Sequence, residues 1–302
     1  MKISNAKSFE ERKPLYRDLI KITDKTIKHI GYGALVLLPF RSGEAVRPLM
    51  IRRKGALSAW AATGTVAAER IVDGVVLSLI LLAGLRLAPP QTPLPDHIGA
   101  LAVPSAVVPR VAYAALAVFG VALAAMTIFY FARDFARRLT ERIVGVVSAR
   151  AAAWLADAVS RTADGLGFLP RARYSLPFIL ATFGYFLANV LGVALLVWGS
   201  GLGAFDLARA CVIVGVLHIG VLLPNAPGYF GAFQLSVYAA LALYYPPGNV
   251  ANRGSAIVFV LYVTQIGLAL AAAAVALMVE HLSLRDVLED AETQVAPAGP
   301  RR

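Results

Sequence analysis

Three stretches of the chain, roughly 110–132, 175–199 and 255–279, run on with almost no charged residue. A fourth, 66–88, is equally apolar apart from charges near its start and end. About 20 mostly apolar residues are enough to carry a helix across a hydrocarbon core roughly 30 Å thick. A chain built from such blocks has few soluble solutions, because its apolar residues form blocks instead of helical stripes and one core could not bury them. The composition agrees: 58% of the residues are hydrophobic and 16% charged, where soluble domains carry about a quarter charged. The expected fold class is therefore all-α, a polytopic integral membrane helix bundle.

The net charge of +11 is distributed in a way that orients the bundle. Basic residues gather at 1–28, at Arg52, Arg53 and Lys54, and at 133–173, whereas Pro89–Pro109 and Gly199–Asp206 contain no Lys or Arg. By the positive-inside rule the basic segments are cytoplasmic and the other two links face outward. Both termini then lie in the cytoplasm, and the membrane is expected to be the inner, cytoplasmic one. No basic module interleaved with aromatics is present, so nucleic acid is not an expected partner. The charged start lacks the apolar run of a cleavable signal. Three parts are expected: a charged N-terminal segment over 1–28, a membrane domain over 29–280, and a disordered cytoplasmic tail over 281–302. Within 133–173, Phe135, Leu139, Ile143, Val147 and Leu155 recur near helical spacing among charged residues. An amphipathic helix on the inner leaflet, or an extension of the preceding span, accounts for that pattern.

Two apolar regions are interrupted. Residues 30–40 are too short to cross alone, and 207–245 is broken by Leu223–Gly231, which contains two prolines and two glycines. The second region is either a re-entrant hairpin or two short tilted spans. The breaks resemble one another: Leu37–Glu44 reads LLPFRSGE and Leu222–Gly231 reads LLPNAPGYFG. Paired interruptions in two halves of a membrane chain point to a transporter-like binding site, where broken helices expose backbone dipoles at membrane depth.

The candidate site residues cluster at these breaks and in the first full span. Arg41, Gly43, Glu44 and Arg47 follow the first break, where two guanidinium groups could meet a phosphate with Glu44 orienting one of them. Glu69, Arg70 and Asp73 share one helical face at spacings of three and four. Ionisable groups in a span cost at least a few kcal/mol each unless they are paired or face a wet cavity. Pro224, Pro227, Gly228 and Gly231 form the second break, with Gln234 just beyond it. His218 nearby reads as an ordinary interior histidine. The single cysteine, Cys211, and the lack of a second ligand beside His218 leave no metal site. No nucleotide loop, G-x-S-x-G elbow or H-E-x-x-H is present. No cofactor and no catalytic residue are expected.

Taken together, LLPFRSGEAVRPLMIRRKG, AERIVDGVVLSLILL and LLPNAPGYFGAFQ resemble the flippase-like family, also called the lysylphosphatidylglycerol synthase transmembrane-region family. The resemblance covers roughly residues 30–280. It implies that Pro39, Gly43, Glu44 and Arg47 match the first family motif. Glu69, Arg70 and Asp73 match the second, and Pro224, Pro227, Gly228 and Gly231 the third. It further implies a lipid-handling protein that acts on an anionic headgroup or a lipid-linked intermediate, with a lipid-modifying enzyme as a partner. Three departures stand out. A charged segment replaces the usual N-terminal helices, Gln234 stands where the family usually has glutamate, and no large soluble catalytic domain follows residue 280. The last makes aminoacyl transfer by this chain alone an unfavoured reading. The expected activity is movement of the lipid. The alternative is an enzyme or accessory that modifies a lipid at the inner leaflet, with Glu69 or Asp73 as base.

Overall fold

A computed structural model describes residues 59–132, 172–222 and 226–280, together with Asp134, Phe135, Arg138, Arg142 and Ala156. Residues 1–58, most of 133–171, residues 223–225 and the tail after 280 lie outside the described residues. That excludes the first break with Arg41, Gly43, Glu44 and Arg47, and also Pro224.

Four long helices occupy the four uninterrupted apolar stretches: α1 (Ala59–Leu87), α2 (Val108–Phe131), α3 (Ala172–Gly199) and, after two further short helices, α6 (Ser255–Glu280). Segments Ser105–Phe131, Ser175–Gly199 and Pro247–Val275 are long and apolar enough to cross a membrane. Helix α1, with 29 residues, extends about 43 Å at a rise of 1.5 Å per residue. It carries the charged triplet that the other three lack. Inside hydrocarbon every backbone group must be satisfied within the segment, so apolar blocks of this length resolve as helices. Their outer faces are apolar and open, with Val118, Val121 and Ile128 of α2 and Leu180 of α3 at least 60% exposed. The chain is a multi-pass membrane protein.

The region 207–245 resolves into two short antiparallel helices, α4 (Leu207–Gly220) and α5 (Ala232–Ala242). At 14 and 11 residues they reach about 21 and 16 Å, short of the roughly 30 Å core. Both ends of this hairpin meet the same end of α1. Tyr244 donates its hydroxyl to the Ala88 carbonyl at 2.8 Å, and an added Cβ on Gly84 would lie 2.7 Å from the Ala208 carbonyl oxygen. The two arms of the hairpin therefore start and finish at the same end of α1. Much of the hairpin's apolar surface is enclosed: Val212, Ile213, Val237, Ala240 and Leu241 are fully buried.

Local chemistry fixes the base of this hairpin. Asp206 caps α4 by accepting from the backbone N–H groups of Ala208 and Arg209 at 2.9 and 3.1 Å. At the other end the last carbonyls of α5 need partners. Gln91 supplies them, donating its backbone N–H to Leu243 and its side-chain amide to Ala242, each at 2.8 Å. Gln91 belongs to the link between α1 and α2, which folds over the base through a two-residue antiparallel pair, β1 (His97–Ile98) with β2 (Leu101–Ala102). Ile98 and Val103 of this link are buried in the core.

Helix α1 and hairpin arm α4 pack without a side-chain layer at two points. Gly84 faces Ala208 and Val212, and Gly215 faces Leu81, where an added Cβ would meet the Leu81 Cβ at 2.6 Å. Small residues allow backbones to approach closely where helices pair in a membrane. The contact sets the register that brings the hairpin tip level with the charged part of α1.

Candidate functional site

Along α1, Asp73 lies eleven residues before Gly84, about 16 Å deeper at 1.5 Å per residue. At that depth the tip of the hairpin stops, and a cavity of about 610 Å³ opens beyond it. Arg70 and Asp73 of α1 line it, as do Tyr185 and Asn189 of α3, His218 of α4 and Gln265 of α6. Tyr229 from the break and Phe233 from the first turn of α5 complete the tip side.

Glu69, Arg70 and Asp73 are each half-buried. Arg70 and Asp73 reach the cavity, whereas Glu69 is not among the described lining residues. Asp73 Oδ1 accepts a hydrogen bond from the Thr182 hydroxyl at 3.2 Å, which ties α1 to α3. Asn189 donates its side-chain amide to the Tyr185 carbonyl at 2.9 Å.

The Leu223–Gly231 break has a defined shape wherever it is described. Pro227–Tyr229 forms one 3-10 turn, and Gly228, Tyr229 and Gly231 all have positive φ, at 70°, 57° and 88°. Glycine adopts that region at no steric cost, but for Tyr229 it costs on the order of 1–2 kcal/mol. The flanking glycines and Pro227 therefore hold a tyrosine in a conformation that places it on the cavity wall. Gln234 stabilises the exit: its Oε1 accepts the Gly231 N–H at 2.7 Å in a capping arrangement. Pro227, Gly228, Gly231 and Gln234 shape the loop, and Tyr229 and Phe233 present its surface to the cavity.

His218 holds Nδ1 against the Val214 carbonyl at 2.9 Å, which requires the hydrogen on Nδ1. Its ring stands edge-on to Phe186 at 5.4 Å and to Tyr185 at 6.5 Å between centroids. Among the described residues, the cavity lining combines one guanidinium, one carboxylate, two amides and an imidazole with aromatic walls. Such a set can bind a polar headgroup through its charges and its hydrogen-bonding groups together. Among the described residues no group of three His, Cys, Asp or Glu side chains could hold a metal.

Reading the sequence for charge found Arg70 and Asp73 but passed over Thr182, Tyr185, Asn189, Tyr229 and Gln265, and set His218 aside. A signal for several of them existed. Asn189 and Gln265 are amides in otherwise apolar spans, where polar side chains usually face the bundle interior.

A helical bundle with a cavity lined by Arg70 and Asp73 at the tip of a short helical hairpin defines a multi-pass membrane protein with charged groups gathered at one site. The sequence model of the lysylphosphatidylglycerol synthase TM region matches residues 26–264, and the chain belongs to that family. No curated protein and no solved structure matches it.

Proposed function

We propose that this protein moves a membrane lipid between leaflets of the cytoplasmic membrane, holding an anionic or lipid-linked headgroup in the cavity while the acyl chains stay in the bilayer. The observation that carries this reading is the position of Arg70 and Asp73, three residues apart on an apolar helix, both lining the cavity at the hairpin tip. An arginine kept at membrane depth offers planar, bidentate recognition of phosphate. Asp73 balances that charge when the site is empty and accepts hydrogen bonds when it is filled. Membership of a family named for lysylphosphatidylglycerol synthase supports a lipid as the cargo. With the basic links cytoplasmic, both termini face the cytoplasm. Arg41, Glu44 and Arg47 would add headgroup contacts from the first break, and a lipid-modifying enzyme would be the natural partner. The cargo leaves chemically unchanged.

The test is transbilayer movement of labelled phospholipid in sealed vesicles. Arg70→Gln and Asp73→Asn should each slow it, and unchanged movement in both variants contradicts the assignment. A second reading, modification of a lipid by acid-base chemistry, draws on Asp73 and His218 lining the same cavity. It requires product turnover in detergent, where no sealed bilayer exists.

A further inference from the structure

A second cavity, of about 540 Å³, lies between α1, α2 and α3. Val72 and Leu79 of α1, Met126 and Phe131 of α2, and Ser175 and Ile179 of α3 form its walls. Its lining is predominantly apolar, with hydroxyls only on Thr127, Tyr130 and Ser175 among the described residues. The Thr127 hydroxyl in its wall is spent on the Leu123 carbonyl of its own helix at 2.8 Å, and Ser175 is 9% exposed. Its rim is open: Leu79, Phe131 and Ile179 are exposed, and so are Val118, Val121 and Ile128 farther along α2. In a membrane-spanning segment that exposure is to acyl chains, so hydrocarbon is the medium the groove opens onto.

The groove and the cavity share α1, α2 and α3; on α2, Phe119 lines the cavity and Leu123, Met126 and Phe131 line the groove. On α3, Ser175 and Ile179 face the groove, while Tyr185, Phe186 and Asn189 face the cavity. Thr182 lies between those two sets and donates to Asp73 Oδ1. On α1, Val72, Val75 and Leu79 line the groove, and Arg70, Asp73 and Leu77 line the cavity. The Thr182–Asp73 contact therefore stands between the apolar groove and the lining that carries Arg70 and Asp73.

We infer that the groove seats one acyl chain of the lipid whose headgroup occupies the polar cavity, and that Thr182 and Asp73 form the partition between tail and head. This rests on the lipid-moving reading above. Transfer from bilayer to groove gains no hydrophobic free energy, since lipid tails are as apolar as the walls, and only shape-dependent packing distinguishes the two. The groove thus positions a lipid more than it tightens binding, and it delivers the headgroup to the Arg70 and Asp73 side of α1.

The experiment uses the full chain in vesicles of phosphatidylethanolamine and phosphatidylglycerol, the latter carrying a photoactivatable diazirine midway along one acyl chain. Adducts are mapped by mass spectrometry. Groove residues Val75, Met126 and Thr127 should be labelled about threefold or more above Val118 and Val121, which meet only the surrounding lipid. A groove-filling Met126→Trp variant should lose that excess while labelling at Val118 persists. Equal labelling at groove and outer face in the wild-type chain overturns the inference, as does protection of the groove by another part of the chain or by a second copy. The two readings fail separately. Slowed movement in Arg70→Gln without groove labelling removes the tail site alone. Groove labelling with movement insensitive to Arg70→Gln and Asp73→Asn removes the headgroup site, and with it the claim that head and tail belong to one bound lipid.

Discussion

Thr182 of α3 donates a hydrogen bond to the Asp73 carboxylate of α1 across 3.2 Å, beside the cavity that Asp73 shares with Arg70. A carboxylate at membrane depth needs donors, because burial of an unsatisfied charged group is costly. The hydroxyl supplies one and fixes the rotation of α3 relative to α1. Thr182→Val keeps the shape and removes the donor. A hydrogen bond to a charged group contributes about 1.5–3 kcal/mol, so lipid movement in vesicles should fall roughly tenfold or more. Thr182→Ser should retain most of it.

The close approach of α1 and α4 yields a stability prediction that can be read without knowing the cargo. At Gly215 an added Cβ would press on Leu81, whereas at Gly192 of α3 nothing lies within 4 Å. Gly215→Ala should destabilise the folded protein by about 1–3 kcal/mol, the usual cost of overpacking. Gly192→Ala should be neutral or slightly stabilising, since alanine is the better helix former. Thermal unfolding in detergent distinguishes the pair: a lowered midpoint for the first and none for the second.

Gln234 accepts the Gly231 N–H at the exit of the break, and that role needs only an acceptor. Gln234→Glu can still receive the Gly231 N–H and should preserve the hairpin. Gln234→Leu cannot, and should cost about 1 kcal/mol, the typical loss of a helix cap. Detergent unfolding of the two variants beside the wild type checks both halves of this expectation.

The turn itself can be tested at Gly231, where φ is 88°. Gly231→Ala forces a side chain into a region that only glycine occupies freely. We expect a loss of about 1–2 kcal/mol in stability, together with slowed lipid movement, because Tyr229 and Phe233 are held by this turn. Restored movement without restored stability would separate the two effects and show that the turn serves folding alone.

The spans were legible because length and lack of charge suffice to define them. The expected stretches 110–132, 175–199 and 255–279 became Val108–Phe131, Ala172–Gly199 and Ser255–Glu280. Helix α1 is helical from Ala59, the first described residue, ahead of the expected 66, and continues through Gly64. The Pro-Gly interruption announced the hairpin, whose arms are the short helices Leu207–Gly220 and Ala232–Ala242. Facing was not legible. Helices apolar on every side have no stripe from which their rotation could be read, so that Asn189, Gln265 and His218 share one cavity with Arg70 emerges only from packing. Likewise, only the approach of Gly215 to Leu81 brings the hairpin tip level with Asp73. The paired strands in Pro89–Pro109 had no signal either, being two residues each.

Transbilayer movement of a labelled anionic phospholipid, measured in sealed vesicles containing wild-type, Arg70→Gln or Asp73→Asn protein, tests the central claim most directly. If the cavity holds the headgroup, each substitution slows movement about tenfold or more, as expected for loss of a charge-assisted contact. Wild-type rates in both variants, with the proteins folded and inserted, would contradict it.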